Sequence, residues 1–511
     1  MNLVDYSSSI WSVVPALLAL LLAIITRKVI LSLSIGIIVG ALMLAGGNVV
    51  DAFIHLKNSV TSLVYGEEGL NANNVNIIIF LILLGILTAL LSLSGSNQAF
   101  ANWAQQHIKG RRGAKLMAAG LVFFTFIDDY FHSLAVGAIA RPVTDKFKVS
   151  RAKLAYILDS TAAPMCVLMP ISSWGAYIIT LIAGLLTTYG ITQYSPLGAF
   201  MAMSAMNLYA IFSMIMVFVV AYFSFDIGSM ARFEQQALSQ AETTVEEVQA
   251  VSQGKVLNLI LPIITLIAAT LFMMLYTGNQ VLSSNGQPFD ILGAFENTTV
   301  GISLVVGGLS ALVVATACIV LERQLSLADY LKSFPIGAKS MSGAITILFF
   351  AWTINGIVGD MQTGKYLSSL VADSINPAFL PAILFILGTA MAFSTGTSWG
   401  TFGIMLPIAA AIAANADLAL LLPCLSAVMA GAVCGDHCSP ISDTTILSST
   451  GAQCNHMDHV TSQLPYAMVV AAASAVGYLV LGFTQSALLS FATTAAVLLG
   501  LILIFKTKKS A

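Results

Sequence analysis

Apolar runs of about 17 to 25 residues recur from one end of this sequence to the other, each long enough to cross a hydrocarbon core about 30 Å thick as a helix. Ile10 to Thr26, Val29 to Ala45, Ile77 to Ser94, Leu197 to Tyr222, Leu257 to Tyr276, Val300 to Leu321 and Leu488 to Phe505 are the plainest. In lipid every backbone N–H and C=O must bond within the protein, which leaves helices and closed barrels. A barrel would show short alternating strands instead of unbroken runs. A mean hydropathy of +0.91 points the same way. The fold class is therefore all-α and polytopic in the membrane, with roughly 11 to 14 membrane segments at that span length.

The balance of 21 basic against 23 acidic residues, with no basic block, suggests no nucleic-acid partner. Asp5 precedes the first apolar run and Arg27 and Lys28 follow it, the reverse of a secretory leader. The cysteines (Cys166, Cys318, Cys424, Cys434, Cys438, Cys454) sit mostly in or beside apolar segments and read as small hydrophobes rather than a disulfide framework. Basic residues concentrate in alternate loops, the pattern of segments kept in the cytoplasm. Arg27-Lys28, Lys109 to Lys115, Lys146 to Lys153, Arg232 to Lys255, Arg323 to Lys339 and Lys506 to Lys509 are such loops. Gly46 to Asn74, Tyr189 to Pro196, Thr277 to Asn297 and Gly359 to Asn376 are poor in them. The threading places the N-terminus outside and the C-terminus in the cytoplasm, as expected of a multi-pass protein of a bacterial cytoplasmic (inner) membrane.

Two stretches break the rule of one helix per crossing. From Lys115 to Lys146 the chain leaves the basic side and returns in about 30 residues, too few for two spans at about 1.5 Å per residue. In its middle, "FIDDYFHS" (Phe126 to Ser133) predicts a re-entrant hairpin that breaks at Asp128-Asp129. Leu154 to Thr188 then crosses once with residues to spare, interrupted by "DSTAAPMCVLMPISSW" and its Pro164 and Pro170. Broken helices at membrane depth are tolerated where they face protein or line a cavity. Ser229 to Gly254, rich in Gln, Glu and Ala, reads as a cytoplasmic helical linker.

The interruptions recur. Pro164 is followed by Ser172-Ser173, and Pro440 by Ser448-Ser449 at the same spacing. "DDYFHSLAVGAIARP", ending at Pro142, parallels "FSTGTSWGTFGIMLP", ending at Pro407, and Ser133 matches Ser398. Lys146, Lys148, Arg151 and Lys153 follow the first hairpin, whereas Asn415 and Asp417 follow the second, so the copies face opposite ways across the bilayer. Inverted repeats with paired broken helices are the architecture of secondary transporters. The expected organisation is N-terminal scaffold helices over 1–75, a first inverted repeat over 76–225 and the linker over 226–256. Further scaffold helices over 257–340, a second repeat over 341–484, and a C-terminal helix with a basic tail over 485–511 complete it.

An aspartate at the bilayer centre costs roughly 2.5 to 3.5 kcal/mol, yet Asp128, Asp129, Asp159, Asp436 and Asp443 all fall at interrupted segments. Na⁺ prefers hard oxygen donors, and unwound carbonyls and half-helix C-termini supply them. A carboxylate shared between Na⁺ and H⁺ gives exchange directly, because burial favours the protonated form and a bound cation the ionised one. Candidate ion or proton groups are these five aspartates. Ser172, Ser173, Trp174, Asn355, Thr395, Thr397, Ser398 and Trp399 are candidates for contact with substrate, although membrane Ser and Thr often bond only their own helix. His437 suits either a proton shuttle or a structural hydrogen bond. Asp145 with Arg141 reads as an interfacial ion pair and Asp360 as solvated. "CGDHC" (Cys434 to Cys438) with His456 and His459 does not have zinc spacing, so no metal beyond Na⁺ and no cofactor is expected.

"GDHCSPISDTTILSSTGA" (Gly435 to Ala452) resembles the signature of the NhaC family of Na⁺/H⁺ antiporters, and "FIDDYFHSLAVGAIARPVTDKFKVSRAKLAYILDSTAAP" (Phe126 to Pro164) is similar to that of its longer members. The resemblance implies membership of the ion transporter superfamily, with paired hairpins and, in several members, elevator motion. It implies binding-site roles for Asp436, Ser439, Ser442, Asp443 and Thr444, and for Asp128, Asp129, Asp159, Ser160 and Thr161. The family also includes a malate/sodium-lactate antiporter and members proposed to move amino acids.

The expectation is a sodium-coupled secondary transporter, foremost a Na⁺/H⁺ antiporter working by alternating access. The rival keeps the fold and moves a small organic carboxylate or amino acid with Na⁺, using Trp174, Trp352 and Trp399. An enzyme is not expected, since no HExxH is present. A homodimer in the lipid bilayer is expected by analogy with elevator carriers.

Overall fold

The computed structural model describes residues 3–26, 28–66, 69–126, 129–170, 172–239, 254–363, 366 and 376–507. Among them eight helices are long and apolar enough to cross a membrane, a ninth crossing is made by a bent pair, and four shorter apolar helices accompany them. Among the described residues, the strands are Tyr65–Gly66 and Gly69–Leu70, a two-residue antiparallel ribbon. The all-α polytopic expectation holds.

The chain opens with α1 (Val14–Thr26), α2 (Val29–Leu44) and α3 (Val49–Ser62), then α4 (Ala72–Leu93) and α5 (Ser96–His107). α6 (Gly110–Gly120), the single turn α7 (Val122–Thr125), α8 (Asp129–Lys146), α9 (Arg151–Cys166) and α10 (Ser173–Thr188) follow. α11 (Pro196–Ala205) and α12 (Leu208–Phe223) form one bent crossing, 51° at its break, where Asn207 caps the second piece through the Ala210 amide at 3.1 Å. α13 (Ser229–Ser239) ends this half.

The second half comprises α14 (Leu257–Ser284), α15 (Ile291–Glu296), α16 (Val300–Leu321), α17 (Leu327–Asp360), α18 (Leu380–Thr395), α19 (Ser398–Ala416), α20 (Leu421–Cys438), α21 (Asp443–Gly451), α22 (His456–Thr484) and α23 (Ala487–Thr507). Two packing groups result. α4, α14, α16 and α17, all without central acids, share a core that includes Leu81, Leu84, Leu266, Leu304 and Leu348. The larger core joins α6, α8 to α12, α18 to α20, α22 and α23.

In both predicted hairpins the two ends meet at one end of the bundle, as the contacts show. Glu234 on α13 accepts from Arg111 at the start of α6 (2.7 Å) and from the Ser150 amide just beyond α8 (2.8 Å). The chain therefore leaves and returns to one side. The second hairpin, α18–α19, is closed by α22: Phe379 packs against Phe483 with ring centroids 5.0 Å apart, and Gln485 donates to Asp417 at 3.2 Å. The loop that leads into α13 meets α22 at Tyr466, whose hydroxyl accepts from the Ile227 amide (2.9 Å) and donates to Phe225 O (2.9 Å). From Tyr466 to Thr484 an α-helix rises about 27 Å, close to the hydrocarbon thickness. The hairpins thus open at opposite ends of α22.

Glycine spacing sets how closely the second hairpin packs. Gly431 and Gly435 lie one turn apart on α20, and a Cβ at Gly435 would stand 2.2 Å from Thr389 O on α18. Small residues at this spacing let membrane helices approach to backbone contact. That contact brings the hairpin tip onto the last turn of α20.

Candidate ion and proton site

Four interruptions converge. The tip of the first hairpin precedes α8, the break of the α9–α10 segment spans 167–172, the second hairpin turns at Gly396-Thr397, and the α20–α21 break spans 439–442. Trp174, fully buried in the first turn of α10, donates from its indole to Asp129 at 2.9 Å. It meets Trp399 and Phe402 of α19 edge-on at 5.8 and 5.7 Å. Tyr130 donates to Asp443, and Ser133 and Ser448 lie 3.0 Å apart. Gly396, at φ +67°, lies where a Cβ would stand 2.7 Å from Ile441 O. Each hairpin tip therefore touches the broken helix of the other half.

Asp436, 1% exposed, sits in the last turn of α20. Its Oδ2 accepts from the Ser398 hydroxyl at 2.7 Å and the Ser398 amide at 3.2 Å. That amide opens α19, so the carboxylate caps a helix N-terminus. Oδ1 has no hydrogen-bond partner, and among the described residues Asp436 forms no ion pair. Gly396 to Gly400 spells GTSWG, a GxSxG string that the sequence reading passed over. It is no nucleophile elbow: Ser398 starts a helix after a helix, and its hydroxyl serves Asp436 and lies 3.2 Å from Ala432 O.

On α9 three consecutive polar residues each engage a different histidine. Asp159 Oδ2 is 3.1 Å from His459 Nε2 of α22, Ser160 Oγ is 2.8 Å from His437 Nε2 of α20, and Thr161 Oγ1 is 2.8 Å from His132 Nε2 of α8. Successive helical residues point about 100° apart, so the run reaches three neighbours. All six side chains are buried. Tyr209 of α12 holds His437 Nδ1 at 2.8 Å, and Thr125 holds His132 Nδ1 at 2.6 Å. His459 Nδ1 and Asp159 Oδ1 have no hydrogen-bond partner. Gln463, one turn beyond His459, donates to Asp159 Oδ2 at 2.6 Å and to the carbonyl of His437.

The remaining candidates are placed variously. Ser442 and Thr444 share a hydrogen bond of 2.8 Å at the start of α21, and Ser439 donates to Phe393 O at 2.8 Å. Ser172 caps α10 through the Gly175 amide (2.8 Å), and Thr395 donates to Met391 O (2.9 Å). Thr397 precedes α19 as its N-cap residue without a side-chain cap. Asp128 lies outside the described residues, as do the side chains of Ser173 and Asn355. Asp145 pairs with Arg151 at 3.1 Å, and Asp360 pairs with His55 at 3.2 Å. Both partners are brought up by the fold from other segments. His132, Gln463, Tyr130 and Tyr209 are site residues that the sequence reading did not single out, and it weighed His459 only as a metal ligand. The only local signal was the one-turn spacing of His459 and Gln463. Among the described residues no three His, Cys, Asp or Glu side chains converge as a metal ion would need.

The profile of the Na⁺/H⁺ antiporter family matches residues 165–483, more than half of the chain. The chain belongs to the Na⁺/H⁺ antiporter family. It is 68% identical over 509 residues to an uncharacterized protein of Haemophilus influenzae, covering 100% of this chain and 97% of that one. It is 28% identical over 147 residues to a malate-2H⁺/Na⁺-lactate antiporter of Bacillus subtilis, covering 28% and 31%. It is 30% identical over 144 residues to the arginine/ornithine antiporter ArcD of Halobacterium salinarum, covering 27% and 29%. The protein is a sodium-coupled membrane transporter by family.

Proposed function

We propose that the protein exchanges Na⁺ for H⁺ by alternating access, with Asp436 taking either ion. One observation carries this reading: Asp436 is buried at a helix break, met by the neutral hydroxyls of Ser398 and Ser442, and among the described residues no Lys, Arg or His pairs with it. A buried unpaired carboxylate is costly unless it is protonated or binds a cation. Na⁺ is the substrate here. Asp436 supplies the charge, and Ser398 and Ser442 stand near the break as neutral oxygens, with the α20 C-terminus favouring a cation. A proton leaves Asp436 as Na⁺ arrives and returns as Na⁺ departs.

Arg111, Lys115 and Lys153 mark the side on which the first hairpin opens, which by the positive-inside rule is cytoplasmic. This gives an external N-terminus and a cytoplasmic C-terminus in a bacterial inner membrane. The hairpin-bearing group would slide against α4, α14, α16 and α17 in an elevator motion, within a homodimer. The division into repeats over 76–225 and 341–484 is part of the same proposal. The test is purified protein in proteoliposomes with a pH dye inside. Addition of Na⁺ alone should drive proton movement, and silence under opposed Na⁺ gradients would sink the reading.

A second reading, Na⁺-coupled movement of a small carboxylate or amino acid, draws on the partial likeness to relatives named for such solutes. Its local support is the half-buried pair Trp399 and Tyr177 at the second hairpin tip, with centroids 4.8 Å apart. Unchanged transport in Trp399→Ala would remove that support.

A further inference from the structure

We infer that His459 and Asp159 form a proton-loading site separate from the ion site at Asp436, adding a proton to each cycle. The inference rests on the exchange reading and concerns a second place where charge is carried.

The geometry is specific. His459 presents Nε2 to Asp159, which fixes its N–H on that nitrogen and leaves Nδ1 as a buried acceptor with no donor. Asp159 takes both donors, His459 and Gln463, on Oδ2, and its Oδ1 is likewise without a partner. With the imidazole neutral the pair carries one buried negative charge. A proton added at Nδ1 makes an imidazolium against the carboxylate, a neutral pair, and breaks neither existing hydrogen bond.

Among the described residues the surroundings offer no cation paired with Asp159 and His459. From α20 the pair faces His437, Cys438 and Asp436, and from α22 and the turn before it His456 and Cys454. His456 is bonded to Pro440 O at 2.7 Å and His437 is held by Ser160 and Tyr209. On α9 itself Tyr156 lies one turn back, and Lys153 is paired with Asp226. His132 of α8 faces Thr161, Asp443 of α21 is bonded by Tyr130, Lys115 of α6 is bonded to Ser224, and Glu234 of α13 to Arg111. Among the described residues the pair is therefore balanced by neither Lys nor Arg. Asp436 faces the second hairpin, whereas Asp159 faces α22. Gln463 joins the two by donating to Asp159 and to the carbonyl of His437, the residue after Asp436.

The experiment uses proteoliposomes with a set membrane potential, reading proton flux with a dye and ²²Na⁺ flux in parallel. A net charge moved per cycle makes the rate respond to potential. The wild type should move about two protons per Na⁺ and respond to potential, given one at each titrating site. His459→Gln keeps an amide N–H for Asp159, and Asp159→Asn keeps an acceptor. Each should drop the ratio to about one, lose the response to potential, and retain ²²Na⁺/Na⁺ counterflow. An unchanged ratio and potential response in either variant would overturn the inference. So would loss of counterflow in folded protein of normal gel-filtration profile, since the pair would then carry Na⁺ itself. A wild type without sodium-dependent proton flux is a different failure, that of the exchange reading.

Discussion

Asp159 and Asp436 are both buried at interrupted helices, and each keeps one oxygen without a partner, yet their company differs. Asp159 is met by a histidine and a glutamine, with two more histidines on the residues after it. Asp436 is met by the hydroxyl and amide of Ser398 and by the hydroxyl of Ser442. The first carries titratable protein groups that can balance it from within. The second has, among the described residues, only neutral donors, so on the proposed reading its counter-charge comes from cargo. The general lesson is that two buried acids of similar depth divide their roles by what sits opposite them, as their environments push proton and cation preference apart.

The comparison can be broken at several points. Asp436→Asn should weaken Na⁺ binding by about 10- to 100-fold, the worth of a charge-assisted contact of about 1.5 to 3 kcal/mol. The matching Asp159→Asn should leave Na⁺ affinity within a few-fold of wild type. Isothermal titration with NaCl separates them. Gly435→Val tests how the second site is positioned, because its Cβ would stand 2.2 Å from Thr389 O. A loss of about 1 to 3 kcal/mol, read as a lower melting temperature with weakened Na⁺ binding, is expected from overpacking.

Tyr209→Phe sharpens the first site. It removes the hydroxyl from His437 Nδ1 without touching any charge. Thermal unfolding should show a loss of about 1 kcal/mol, with Na⁺ affinity unchanged. Asp145→Asn lies outside both sites, in a partly exposed pair with Arg151. Its expected cost is at most about 1 kcal/mol, and ion flux should not move.

Much of this was legible in the sequence. Uninterrupted apolar runs marked several of the spans, although Ile10 to Thr26 and Val29 to Ala45 form only shorter apolar helices, and acids placed inside such runs marked Asp129, Asp159, Asp436 and Asp443 as groups needing partners. Lysines and arginines at both ends of 115–146 foretold the first hairpin, which the bonds of Glu234 then closed. The partners themselves were not legible. His459 lies 300 positions from Asp159, and Tyr130 lies 313 from Asp443. No local period or spacing encodes such meetings, since they depend on how the two halves dock. Ser172 and Ser398 looked equivalent as membrane serines. One caps its own helix while the other reaches a carboxylate, a distinction set by the close approach of α18 to Gly431 and Gly435.

The most direct test is equilibrium binding of ²²Na⁺ to purified protein, comparing wild type, Asp436→Asn and Asp159→Asn. The account requires binding in the wild type, its loss in Asp436→Asn, and its survival in Asp159→Asn. Wild-type binding by Asp436→Asn, or loss of binding confined to Asp159→Asn, would contradict it.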